Sequence, residues 1–404
     1  MVAPLSKKIR VLVVDDSVVI RSLMTRILSQ DPEIEVIGSA PDPFVARTML
    51  IDQKPDVMTL DVEMPKMDGI TFLSKVMEHF PTRTVIISSL TVAGAPTVMR
   101  ALEAGAMEVM AKPALDVTRS MTQIADELRA KIKAVARSPL PVRRVSNTAS
   151  RKIGAALDKT THAICAIVTS TGGTEALKEV VPYLPAGFPG TAVVIHMPPV
   201  FTKTFADSLQ RMTPHLEIRE ARDGDRLVPG LVLFAPGNYH MEIHRSGAHY
   251  IARLHQQPTL HGVRPAADYL LKTVAHAAGS NAMGAVLTGM GKDGAAGLLA
   301  MKQAGAWTIT QSERTCVVYG MPREADALKA GCESVDLENV ADHLVARVRK
   351  HEREVAEVLN RLRSSPGPCQ TFPEFGVRRK WLRQGRRPLR FEPPRVFQSL
   401  PAGL

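Results

Sequence analysis

Three residues far apart in this 404-residue chain carry the functional groups of nucleophilic catalysis. Ser170 follows the apolar run AICAIV and precedes Gly172 and Gly173, so it falls on a tight strand-to-helix turn. There its hydroxyl would lie beside helix N-terminal amides suited to an oxyanion. By itself such a serine reads as a helix cap. His196 ends the run TAVVIH ahead of Met-Pro-Pro, and Asp293 lies just past another apolar run in LTGMGKDGAAG. Three strand ends sharing one crevice would bring together a nucleophile, a general base and a carboxylate that orients the imidazole. The nucleophile-elbow pattern GxSxG is absent, because Val168 precedes Thr169-Ser170, which disfavours an ordinary α/β-hydrolase. GMGKDG is no phosphate loop either, since Asp293 follows Lys292 where Ser or Thr is needed. His240 and His244 read as alternation along a strand, with no accompanying ligand set of metal-site spacing.

A second set is acidic. Asp15 and Asp16 end one predicted strand and Asp61 ends another. In an open parallel sheet the strand C-termini converge, so these carboxylates would meet in one crevice. Such a cluster suits Mg²⁺, which takes a few carboxylates and keeps waters to receive a phosphate. Ser88, at the end of VIIS, and Lys112, before Pro113, would add a hydroxyl and an ammonium for phosphoryl oxygens. The competing reading makes the three aspartates turn and cap residues.

The elements that must position these groups alternate. IRVLVV, EVIGSA, DVMTLD and TVIISS read as strands, separated by helices after Ser17, through Ala46 to Leu50 and after Gly69. Met121, Ile124, Ala125, Leu128, Ile132 and Val135 recur at helical spacing and close the block. A second alternating block contains AICAIV, TAVVIHM, LVLFAPG and AMGAVLTG. The expected fold class is α/β, with two doubly wound domains over 8–135 and 159–352. A polar, proline-containing linker joins them over 136–158, and a Pro- and Arg-rich tail over 364–404 is expected to be disordered.

Of the formal charge of +11, a net +8 arises after residue 360, from ten Lys or Arg against two Glu. The basicity therefore belongs to the tail, and no recognition-helix pattern supports a DNA-binding regulator, so no specific nucleic-acid partner is expected. Cys165, Cys316, Cys332 and Cys369 form no CxxC pair, indicating neither zinc nor a disulfide framework. The N-terminal apolar run stops at two acids, unlike a secretory segment, and no run reaches membrane-spanning length, so a cytoplasmic location is expected.

Taken in order, VVDDS, LDVEMPKMDG, VIISS and AKP resemble the receiver domain of two-component response regulators. That resemblance implies a flavodoxin-like domain in which Asp61 accepts a phosphoryl group from a histidine kinase. It further implies Mg²⁺ held by Asp15, Asp16, Asp61 and the Glu63 carbonyl, with Ser88 and Lys112 as switch residues. Val109 stands where many receivers carry an aromatic switch residue. STGGTEAL, VIHMPPVF, FAPGNYHM, RPAADYLL, VLTGMGKDGA and VVYGMPREA resemble the chemotaxis protein-glutamate methylesterase (CheB) family over about residues 8 to 350, with the receiver in front. The likeness implies a Rossmann-like catalytic domain that needs no cofactor in its esterase site, with Ser170 as nucleophile, His196 as base and Asp293 as third member. Thr171 and Met290 would stabilise the oxyanion. It also implies demethylation and deamidation of methyl-accepting chemoreceptors, controlled by phosphorylation. Thr169 for a usual Ala and Ile195 for a common Gln remove no catalytic group.

Overall fold

The computed structural model describes residues 7–64, 68–89, 91, 94–112, 121–140 and 162–364. The expected linker beyond residue 140, the basic tail beyond 364 and Pro113 lie outside the described residues.

The N-terminal sheet contains β1 (Ile9–Val14), β2 (Ile34–Ala40), β3 (Val57–Leu60), β4 (Arg83–Ser88) and β5 (Glu108–Ala111). Its strands are parallel in the order β2-β1-β3-β4-β5. The helices between them are α1 (Val18–Ser29), α2 (Pro43–Gln53), α3 (Gly69–His79) and α4 (Ala95–Glu103), and α5 (Met121–Arg137) follows β5. Each of the first three begins where an oxygen-bearing side chain spares free amides. Ser17 accepts from Ile20 N, Asp42 from Phe44 N and Val45 N, and Asp68 from Thr71 N. The pleat sends alternate residues to opposite faces. Val11 and Val13 pack with residues of α1 and α5, whereas Leu12 and Val14 pack with those of α2, α3 and α4.

A second sheet follows, built from β6 (Ile164–Thr169), β7 (Gly190–Ile195), β8 (Glu217–Glu220), β9 (Leu231–Phe234), β12 (Ala282–Val286), β13 (Trp307–Gln311) and β14 (Glu333–Val335). All seven strands are parallel, in the order β14-β13-β12-β6-β7-β9-β8. A separate antiparallel hairpin joins β10 (His240–Ser246) to β11 (His249–His255). The helices are α6 (Gly173–Val180), α7 (Phe201–Met212), α8 (Ala267–Ala278), α9 (Ala295–Gln303), α10 (Met321–Ala327) and α11 (Val340–Ser364). Cys165 and Ile167 face the side covered by α6, α7 and α11, and Ile164, Ala166 and Val168 face α8, α9 and α10. Both sheets are therefore wound on both faces, as the alternation predicts. A strand order that reverses about β6 places a switch point between β6 and β12, where such folds form their crevice.

One apolar cluster continues from the N-terminal domain into the second, running from Val98, Leu102 and Val109 to Met197, Phe201 and Phe205. Ser208 Oγ of α7 donates to Glu103 Oε1 at the end of α4, at 3.2 Å.

Candidate functional site

In the N-terminal sheet Val14 pairs with Leu60, so Asp15 and Asp61 leave adjacent strand ends side by side. Asp15, Asp16 and Asp61 each offer an oxygen within 4.8 Å of the others. Lys112, continuing β5, places its ammonium 2.7 Å from Asp61 Oδ2 and 3.1 Å from Asp15 Oδ2. Burial pushes the Asp61 carboxyl above its ordinary range, only partly opposed by Lys112. Burial disfavours the Lys112 ammonium, but Asp61 and Asp15 outweigh it and hold its pKa above normal. The buried Asp15 Oδ2 has no hydrogen-bond partner in spite of the nearby ammonium. An oxygen so placed is what a hard cation would satisfy, and the donor set fits Mg²⁺. The turn reading also holds in part, since Asp15 Oδ1 accepts from Ser17 N and Asp61 Oδ1 from Glu63 N. Ser88 is buried at the end of β4, and its hydroxyl donates to the Ser89 carbonyl. Glu63 is exposed, with Oε2 accepting from Ser89 Oγ at 3.3 Å.

In the second sheet Thr169 pairs with Ile195, so Ser170 and His196 follow neighbouring positions on β6 and β7. They line one small cavity. His196 Nε2 lies 2.9 Å from Asp293 Oδ2, so the three sequence-predicted groups converge on one crevice. The Asp293 carboxylate is also held by the N-terminus of α8. Ala267 N donates to Oδ2 at 2.6 Å and Asp268 N to Oδ1 at 2.9 Å. Burial alone would raise its pKa, but His196 and these amides overcome that and hold it below the usual range.

Crowding at Ser170 explains the glycines around it. A Cβ on Gly289 would stand 2.8 Å from Ser170 Cβ, and one on Gly173 would stand 2.6 Å from the Thr169 side chain. Gly172 takes φ +80°, a conformation that favours glycine, as the chain turns into α6. Among the described residues the amides of Thr171 and Met290 donate to no backbone carbonyl, which leaves two N–H groups close to Ser170 uncommitted. Thr169, by contrast, is structural: its hydroxyl donates to the Thr288 carbonyl at 2.7 Å. His240 is buried in the hairpin, where Nδ1 accepts from Ala266 N and the ring lies against Tyr269. His244 pairs with Glu242 at 2.7 Å.

Two site residues escape sequence reasoning. Asp268 is buried and accepts from Gly294 N and Gly297 N through Oδ1, while His261 Nε2 lies 3.0 Å from its Oδ2. Asp293 thus serves the first amides of α8 as Asp268 serves those of α9, which locks the two helix starts together. An acid in the first turn of a helix was the available signal, though it named no partner. The other is Glu108, whose Oε2 accepts from Thr171 Oγ1 at 2.5 Å across the domain boundary. Its Oε1 lies 3.1 Å from Lys131 Nζ. Burial opposes the Lys131 charge, yet Glu108 and Glu127 keep its pKa above normal.

A five-stranded parallel domain with an acidic cluster at its strand ends, joined to a parallel-sheet domain with a serine, an imidazole and a carboxylate at its switch point, has the make-up of a receiver-linked hydrolase. Residues 11–124 match the response regulator receiver domain, and residues 165–344 match CheB methylesterase. A protein-glutamate methylesterase/protein-glutamine glutaminase of Bdellovibrio bacteriovorus is 55% identical over 357 residues, covering 85% of this chain and 99% of that one. A Pseudomonas aeruginosa protein of the same description, numbered 2, is 51% identical over 342 residues, covering 85% and 97%. The catalytic domain of a Thermotoga maritima CheB methylesterase, solved as a crystal structure, is 34% identical, covering 46% of this chain and 98% of that one, with a TM-score of 0.45. The chain belongs to the CheB family of protein-glutamate methylesterases. No described helix is long and apolar enough to cross a membrane.

Proposed function

We propose that this chain is a phosphorylation-activated hydrolase that removes methyl esters from glutamate side chains of methyl-accepting chemoreceptors and deamidates receptor glutamines. The observation that carries the reading is the His196–Asp293 pair at the strand end beside Ser170. With Nε2 turned to Asp293, the His196 Nδ1 is the ring nitrogen left to take the Ser170 proton. Ser170 Oγ attacks the ester carbonyl, and the amides of Thr171 and Met290 receive the developing oxyanion. The imidazolium then returns the proton to the leaving methoxide, and methanol departs. Water, deprotonated by His196, cleaves the acyl-enzyme and leaves glutamate; with glutamine as substrate, ammonia leaves in place of methanol.

Asp61 accepts the phosphoryl group from a histidine kinase. Asp15, Asp16, Asp61 and the Glu63 carbonyl would hold Mg²⁺, which would supply charge neutralisation for phosphoryl transfer. Ser88 and Lys112 contact the phosphoryl oxygens once it is in place. Because residues of both domains line the cavity beside Ser170 and His196, the receiver stands in the substrate's way until phosphorylation loosens that contact. Ser170→Ala should abolish methanol release from methylated receptor while the thermal transition stays unchanged. Substantial residual turnover would refute the assignment.

A further inference from the structure

The receiver side of the cavity beside Ser170 contains a glutamate, the same functional group that this enzyme would leave on its substrate. Glu108 is 7% exposed and Thr171 is 1% exposed, so the contact between them is dry. A carboxylate buried there needs charge-assisted partners. It has three, for besides Thr171 Oγ1 it takes Val109 N at 3.0 Å and the Lys131 ammonium. Glu108 and Ser170 line the same small cavity, and Thr171, which holds the Glu108 carboxylate, immediately follows Ser170 in the chain. The strand that carries Glu108 also leads directly into Lys112, whose ammonium rests on Asp61. A shift of Lys112 toward a phosphorylated Asp61 would pull on β5 and thereby on Glu108. No aromatic side chain is needed for that, and Val109 offers none.

We propose that Glu108 is a built-in occupant of the glutamyl subsite: in the unphosphorylated chain its carboxylate takes the place of the receptor's glutamyl group, with Thr171 Oγ1 as the hydroxyl that recognises both. This rests on the esterase reading above. It makes the receiver an intramolecular product analogue and not merely a cover, and it assigns Thr171 a specificity role beyond its amide.

The test uses the full chain and methanol release from methylated receptor, with and without acetyl phosphate. Glu108→Ala should raise the basal rate on the order of tenfold, the effect of losing one charge-assisted hydrogen bond from a two-state equilibrium. The gain should appear as a lower KM, with kcat equal to that of phosphodonor-treated wild type, and acetyl phosphate should add little. Glu108→Gln, whose amide oxygen still accepts from Thr171 but carries no charge, should fall between. The double variant Glu108→Ala/Lys131→Met also removes the buried ammonium, which in the single variant keeps only Glu127 and the Val109 carbonyl, and should combine the raised basal rate with a melting temperature no lower than that of the single variant. A stimulated wild type beside variants whose basal rate is unchanged would overturn the proposal, as would a basal rise seen only in variants that have lost their folding transition. A wild type that releases no methanol under either condition would instead defeat the esterase reading, and this inference with it.

Discussion

Asp293→Asn separates the orienting role of this carboxylate from its structural one. Oδ2 accepts from both His196 Nε2 and Ala267 N, and Oδ1 accepts from Asp268 N. An amide has one acceptor oxygen. If that oxygen takes the Oδ2 place, the NH₂ faces the Asp268 N–H; if it takes the Oδ1 place, the NH₂ faces Ala267 N and forces His196 into the other tautomer. Either way one buried donor is unsatisfied, costing about 1–3 kcal/mol, or roughly 2–10 °C in melting temperature for a domain of this size. The catalytic loss should be larger. In serine proteases the same exchange lowers kcat about 10⁴-fold, which at about 1.36 kcal/mol per decade is roughly 5 kcal/mol of transition-state stabilisation. The pH dependence carries a sign. Since the folded pKa of Asp293 lies below its ordinary 3.8, its ionised form adds stability that is present above pH 3.8 and lost as pH falls through the folded value. The stability gap between wild type and variant should therefore be constant near neutrality and narrow below about pH 4. The assay is methanol release by phosphodonor-treated protein, paired with thermal melts from neutral to acid pH. A kcat/KM within about tenfold of wild type, with the melting temperature lowered as expected, would refute the orienting role.

Two other substitutions probe the geometry. Gly289→Ala puts a methyl 2.8 Å from Ser170 Cβ and against the Met321 sulfur, so kcat should fall by about two decades with a stability loss of about 1–3 kcal/mol, read by kinetics and melting. Asp61→Asn should abolish stimulation by acetyl phosphate while leaving the basal rate within about twofold of wild type, since the exchange removes the phosphoacceptor and leaves the esterase crevice untouched.

Much of this protein is determined locally. Alternating apolar runs ended by Asp, Ser or His announce both parallel sheets, because a buried strand must be continuously apolar and its C-terminal end is the first place a polar side chain can stand. That is why Asp15, Asp61, Ser170 and His196 could be picked out in advance, and why Asp293, beyond the β12 run, could be joined to them. Ser17, Asp42 and Asp68 likewise declare their helices, since a cap acts on amides two or three residues away. Only the tertiary structure decides that Asp268 and Asp293 cap each other's helices, because neither partner is near the other in sequence. The same holds for Glu108. Within its own strand it is an anomaly, a charged residue at a buried position, and nothing local names the partner that would satisfy it. Val109 N and Lys131 serve its Oε1 from within the domain, but Oε2 is met by the Thr171 hydroxyl from the other one, through a contact that exists only once both sheets have formed and packed. Sequence periodicity reports which face of an element is buried, but not which distant group meets it there.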